Sequence, residues 1–104
     1  MSVRQLPLFA LACVVVLGFT MTAKAQDRGL WSHSRGVFVN TKGLDWVEKA
    51  TDGGVYYFKE RTRTEDYVLL YDASRDCFVR LYNDRCLVKF GSDRYEEYYR
   101  GRWR

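Results

Sequence analysis

Histidine and proline each occur once in this chain, as His33 and Pro7. A lone histidine with no cysteine at ligand spacing leaves zinc sites and histidine-based triads without support. His33 reads as a solvated loop residue. No glycine-rich loop precedes a helix, and no serine sits in a nucleophile elbow. No apolar stripe recurs at helical spacing for three turns. Beyond Pro7 nothing bars a strand from pairing on either edge. The formal charge of +4 falls to +2 once Arg4 and Lys24 are removed with the leader described next. That excess is too small to imply a polyanionic partner by itself.

What the chain does have begins with an address. Arg4 is followed by an almost wholly apolar run from Leu6 to Met21, and Ala23-Lys24-Ala25 places small residues where a signal peptidase reads them. The run is shorter than the roughly 20 residues that cross a bilayer. Residues 1–25 therefore read as a cleaved signal peptide, and the protein as secreted or periplasmic. Cys13 is poorly placed for lipidation. Residues 26–36 read as a flexible N-terminal arm whose Trp31 docks on the domain, and residues 37–104 as a single β domain. So short a domain buries only about 60% of its unfolded surface. A disulfide, aromatic packing or self-association would supplement its core.

From Val37 onward, short runs rich in Val, Tyr, Phe and Trp alternate with Gly, Asn and Asp, which is the language of strands and turns. Asp52-Gly53 is a favoured tight-turn pair. The expected fold is all-β: a small antiparallel meander of about six or seven strands forming a compact barrel or sandwich. The segment from Tyr95 to Trp103 is open between a last strand and a short helical turn. The run Arg61 to Asp66 reads as a turn. Arg100, Arg102 and Arg104 around Trp103 read as a solvated tail.

The organising unit is a repeat. Tyr67-Val68-Leu69-Leu70-Tyr71-Asp72 is echoed by Phe78-Val79-Arg80-Leu81-Tyr82-Asn83, which reads as strand, turn and strand. Alternate side chains share a face. A charge belongs in water, so Arg80 marks the outer side, and Val68, Leu70, Val79 and Leu81 face the core. Closing the hairpin around Ala73–Asp76 sets Tyr71 against Phe78, Leu69 against Arg80 and Tyr67 against Tyr82. Tyr67, Tyr71, Phe78, Arg80 and Tyr82 then form a candidate ligand-binding face.

The next hairpin turns at Asn83-Asp84, pairing Leu81 with Cys86 and Val79 with Val88. Cys77 and Cys86 both face the core. Cys77 lies about 13 Å from Cys86's partner at the strand rise, against the roughly 7 Å between Cα atoms that a disulfide tolerates. Export and an even count favour a bond. A Cys77–Cys86 disulfide, two core thiols and a bond between chains all remain open. Asp72 and Asp76 flank one turn and could form a carboxylate pair for a small hydrolase. Capping nearby backbone N–H groups is the simpler role. Arg75 and Asp76 are expected to pair locally. No metal or cofactor is expected.

Arg61-Thr62, Tyr67-Val68, Leu70-Tyr71-Asp72, Ser74-Arg75-Asp76, Val79-Arg80-Leu81-Tyr82, Tyr99 and Gly101-Arg102-Trp103 together resemble a group of short bacterial exported proteins. Leu69 departs from an acidic preference in that group, and Cys86 stands outside its pattern. The resemblance implies export and this strand-turn-strand, and it assigns no activity.

The expected function is non-catalytic binding of an envelope polymer, a glycan, or of a protein partner. Tyr and Trp beside Arg suit stacking on sugars or packing on protein. The alternatives are a self-associating envelope module and, more weakly, the hydrolase. Nucleic acid is disfavoured by export, although aromatics interleaved with arginines suit single strands.

Overall fold

The computed structural model describes residues 28–104. The expected signal peptide at 1–25 lies outside the described residues. The described residues form eight strands and no helix. These are β1 (Leu30–His33), β2 (Gly36–Lys42), β3 (Asp45–Ala50), β4 (Val55–Arg63), β5 (Tyr67–Asp72), β6 (Cys77–Tyr82), β7 (Arg85–Phe90) and β8 (Glu96–Trp103). Each strand pairs antiparallel with the next, and β8 returns to β1, so the sheet closes into a barrel. The all-β meander holds, with eight strands in place of six or seven.

The eighth strand comes from the segment read as an arm. Leu30–His33 pairs with both β2 and β8. It is short and carries Ser32 and His33, so it lacks the density of β-formers that marks the other runs. The C-terminal segment is a strand along its length, and Trp103 packs against the core instead of fraying.

The central hairpin has the expected register, with Tyr71 opposite Phe78, Leu69 opposite Arg80 and Tyr67 opposite Tyr82. Val68, Leu70, Val79 and Leu81 are almost fully buried, while their outward neighbours are half-buried. The second hairpin likewise pairs Leu81 with Cys86 and Val79 with Val88. Cys77 and Cys86 are buried free thiols. The disulfide left open above is absent because the register that puts both inside also holds them apart. Burial raises both thiol pKa values, which keeps them as protonated, unreactive thiols at neutral pH.

An eight-stranded barrel is just wide enough for side chains to fill. Here Trp31, Phe38, Trp46 and Phe58 do most of the filling. Trp31 donates from Nε1 to the Tyr82 carbonyl at 2.7 Å, tying β1 to the far end of β6. Trp46 meets Trp103 edge-on at 6.4 Å and donates to Glu60 Oε1 at 3.0 Å. Burial pushes the Glu60 carboxyl up, but hydrogen bonds from Arg63 and Trp46 outweigh it and hold the pKa low.

The closing seam depends on Gly101. A Cβ there would lie 2.3 Å from the Ser32 carbonyl and 2.7 Å from the Trp31 ring. Backbone and a buried indole cannot both retreat. Gly101→Ala is therefore expected to destabilise the barrel by about 1–3 kcal/mol, read from the urea midpoint. A thiol reagent is expected to leave Cys77 and Cys86 untouched in the native protein and to label both in denaturant.

Candidate functional site

The outer surface of β5, β6 and β7 carries the five residues named from the sequence, and the structure brings all five together. Tyr67 and Tyr82 have ring centroids 5.2 Å apart, and Tyr71 and Phe78 are 4.5 Å apart. Arg80 lies between the two pairs, with its guanidinium 4.8 Å from the Tyr67 ring and 4.1 Å from the Tyr95 ring. Burial alone would lower the Arg80 pKa, yet a hydrogen bond with Tyr82 and the surrounding phenols raise it. Arg80 is a fixed cation in a tyrosine cage.

Three more cations join this face. Arg61 sits 4.5 Å over Tyr71, Lys89 lies 4.6 Å from Phe78 and 5.3 Å from Tyr95, and Arg85 is 4.2 Å over Tyr82. Rings and cations thus alternate along one continuous row. Each exposed cation–π contact contributes about 0.5–1 kcal/mol and, more usefully here, fixes a long side chain. Sequence reasoning named the rings and Arg80 but missed these partners. Lys89 was within reach, since the Asn83-Asp84 turn pairs it with Phe78. Arg61 was not: the segment read as a turn continues β4, and a register shift between Glu60 and Thr62 makes Arg61 the extra residue of a bulge. A bulge re-aims a side chain in a way that spacing does not reveal.

Two surface grooves open at opposite ends of this face. One, of about 500 Å³, is lined by Tyr71, Ala73, Tyr57, Val47 and Lys59 among others. The other, of about 350 Å³, is lined by Asp66, Tyr67, Tyr82, Asn83, Asp84 and Arg85. Tyr57 is highly exposed beside the first.

The turn acids have local roles. Asp72 accepts from the Ser74 amide at 2.9 Å, the Ser74 hydroxyl at 2.6 Å and Arg75 Nε at 2.6 Å. Burial pushes its carboxyl up, and these bonds overcome that and lower it. Arg75 thus pairs with Asp72, and not with Asp76 as expected, because Asp76 turns away with a φ of 49°. Asp76 accepts instead from the Tyr71 hydroxyl at 2.8 Å, a bond that raises the Tyr71 pKa.

A second cluster, at one mouth of the barrel, was invisible in the sequence. His33 is not a solvated loop residue: it points inward from β1, and its side chain is fully buried. Its ring stacks on Tyr99 with centroids 3.8 Å apart. The Arg35 backbone N–H donates to Nδ1 at 3.1 Å, so a neutral His33 carries its proton on Nε2. Nε2 faces Glu48 Oε2 at 3.7 Å, too far for a hydrogen bond. Glu48 itself is buried and lines two adjoining cavities of about 130 and 190 Å³ with Tyr56 and Tyr99. Desolvation lowers the His33 pKa and raises that of Glu48, against the attraction of Arg75 and a hydrogen bond with Tyr99. Only strand alternation combined with knowledge of β1 would have put His33 inside. Among the described residues, no group of three or more His, Cys, Asp or Glu could hold a metal ion.

The two shifts act oppositely on stability. A histidine whose folded pKa lies below 6.5 costs stability as pH falls through that value, because the unfolded chain takes the proton first. A glutamate whose folded pKa lies above 4.5 costs stability at high pH and returns it as pH falls. The change in urea midpoint on going from about pH 7 to about pH 5 should therefore be more positive in His33→Phe than in the parent. In Glu48→Gln it should be more negative, with the midpoint at the higher pH at or above that of the parent. Comparison with known protein families, with characterised proteins and with solved structures gives no match, so the geometry above is what a functional reading of this chain rests on.

Proposed function

We propose that this chain is an exported, secreted or periplasmic, non-catalytic barrel that binds an envelope polymer, a glycan, across the outer face of β5–β7. One observation carries the reading: the row of rings and cations from Tyr71 to Tyr82 runs between two surface grooves. An extended occupant would engage both grooves and the row together. The leader pattern at 1–25 and the resemblance to exported proteins support the location.

Self-association through the same face is the weaker reading. Apposing two copies would bring Arg61, Arg80, Arg85 and Lys89 against their own counterparts, and like charges repel across such a contact. A protein partner of complementary charge fits the face but has less use for a groove at each end.

On a glycan array, the parent protein is expected to give signals that drop at least several-fold in Tyr82→Ala and in Arg80→Ala. Equal signals from parent and both variants would remove this face from consideration. Sedimentation is expected to show an unchanged monomer as concentration rises.

A further inference from the structure

We infer that the polymer this face takes is an anionic glycan, one bearing carboxylate, phosphate or sulfate groups, and that Arg61, Arg80 and Lys89 read its charges. The inference rests on the polymer-binding reading above and narrows it.

The first ground is which surface the rings present. A neutral sugar binds an aromatic side chain by lying on the ring face. Here one face of each ring already carries a cation: Arg61 lies 4.5 Å over Tyr71, Lys89 lies 4.6 Å from Phe78, and Arg80 lies 4.8 Å from Tyr67. A neutral sugar stacking there would have to displace a favourable contact at each position. An anionic group would not, because it approaches the cation from the other side.

The second ground is the absence of counter-ions. Among the described residues Arg61, Arg80 and Lys89 form no ion pair with a carboxylate, whereas Lys59, Arg63, Arg75 and Arg85 each have one and Arg100 has two. Two acids beside the row are engaged elsewhere: Asp76 with the Tyr71 hydroxyl, and Asp84 with Arg85. The row therefore holds three ring-held cations that form no ion pair among the described residues.

The third ground is preorganisation. Lysine and arginine normally lose rotamer freedom when they bind an anion. On this face the rings have already restricted them. Arg80 and Lys89 share Tyr95, at 4.1 and 5.3 Å, which sets two positive charges at a fixed separation, as a polymer of regularly spaced anions requires.

The test measures binding of the full mature protein to alginate (a polyuronate), dextran sulfate, neutral dextran and a single-stranded oligonucleotide, at low and moderate salt. Alginate or dextran sulfate should bind, and neutral dextran should bind at least tenfold more weakly. Affinity for the charged glycans should fall roughly tenfold or more with added salt, as expected when a few fixed cations release counter-ions. The paired change Arg61→Glu with Lys89→Glu should weaken binding at least tenfold. Lys42→Glu with Lys49→Glu, an equal charge change on β2 and β3, should leave most of it. Arg61→Gln and Lys89→Gln, with unchanged thermal melts, serve if the reversals fail to fold.

Equal, salt-independent binding of dextran and alginate would overturn the anionic assignment and leave the polymer reading standing. Equal losses in the face and control variants would overturn the assignment of the charge-reading role to Arg61 and Lys89. Tighter binding of the oligonucleotide would overturn the assignment to glycans. Binding of none of the glycans would overturn the polymer reading itself.

Discussion

Closure of the sheet on a core of indole and phenyl rings is the constraint from which the other features follow. A small eight-stranded barrel has room for side chains and little else. Trp31, Trp46, Phe38 and Phe58 occupy that room, and Trp31 does so from the strand that completes the circle. With no open edge, the backbone donors and acceptors of β1 and β8 satisfy each other, and the exposed-edge hazard of a meander is removed. Gly101 is the local cost of this closure, since the indole lies where a Cβ would be. Aromatic volume fills the role that a disulfide fills in many small exported domains, and both described cysteines stay reduced beneath it.

Closure also divides the aromatic residues into two populations. Those facing inward are packing material. Those facing outward on β5–β7 are not buried, because no second layer among the described residues covers them. They are instead shielded by each other and by cations: Arg80 within its tyrosine cage, Arg61 on Tyr71, Lys89 on Phe78. The same contacts that make exposed rings tolerable in water hold positive charges in place. The outer face and its charge are therefore one feature, and the proposed binding surface grows out of a fold-level need.

The barrel mouth shows the opposite balance. His33 and Glu48 are buried without reaching one another, at 3.7 Å, and desolvation drives both toward their neutral forms. A buried pair in this state contributes little to stability. The unpartnered Nε2 of His33 there contrasts with Glu60, whose carboxyl is satisfied by Arg63 and Trp46.

The amino-acid order alone marked out the six strands β2–β7, the central register and the side on which each hairpin residue lies. The duplicated segment specifies period-2 alternation, and a single misplaced residue would bury Arg80. It also placed the five residues of the candidate face and turned both cysteines inward. Three things were settled only by the tertiary structure. Leu30–His33 becomes a strand because β8 arrives beside it, a pairing between the two ends of the barrel that no local pattern encodes. His33 comes to face Glu48 for the same reason. Arg61 joins Tyr71 because a bulge turns it there. Short-range alternation is written into neighbouring residues, whereas ring closure and bulges depend on which distant strand the chain finally meets.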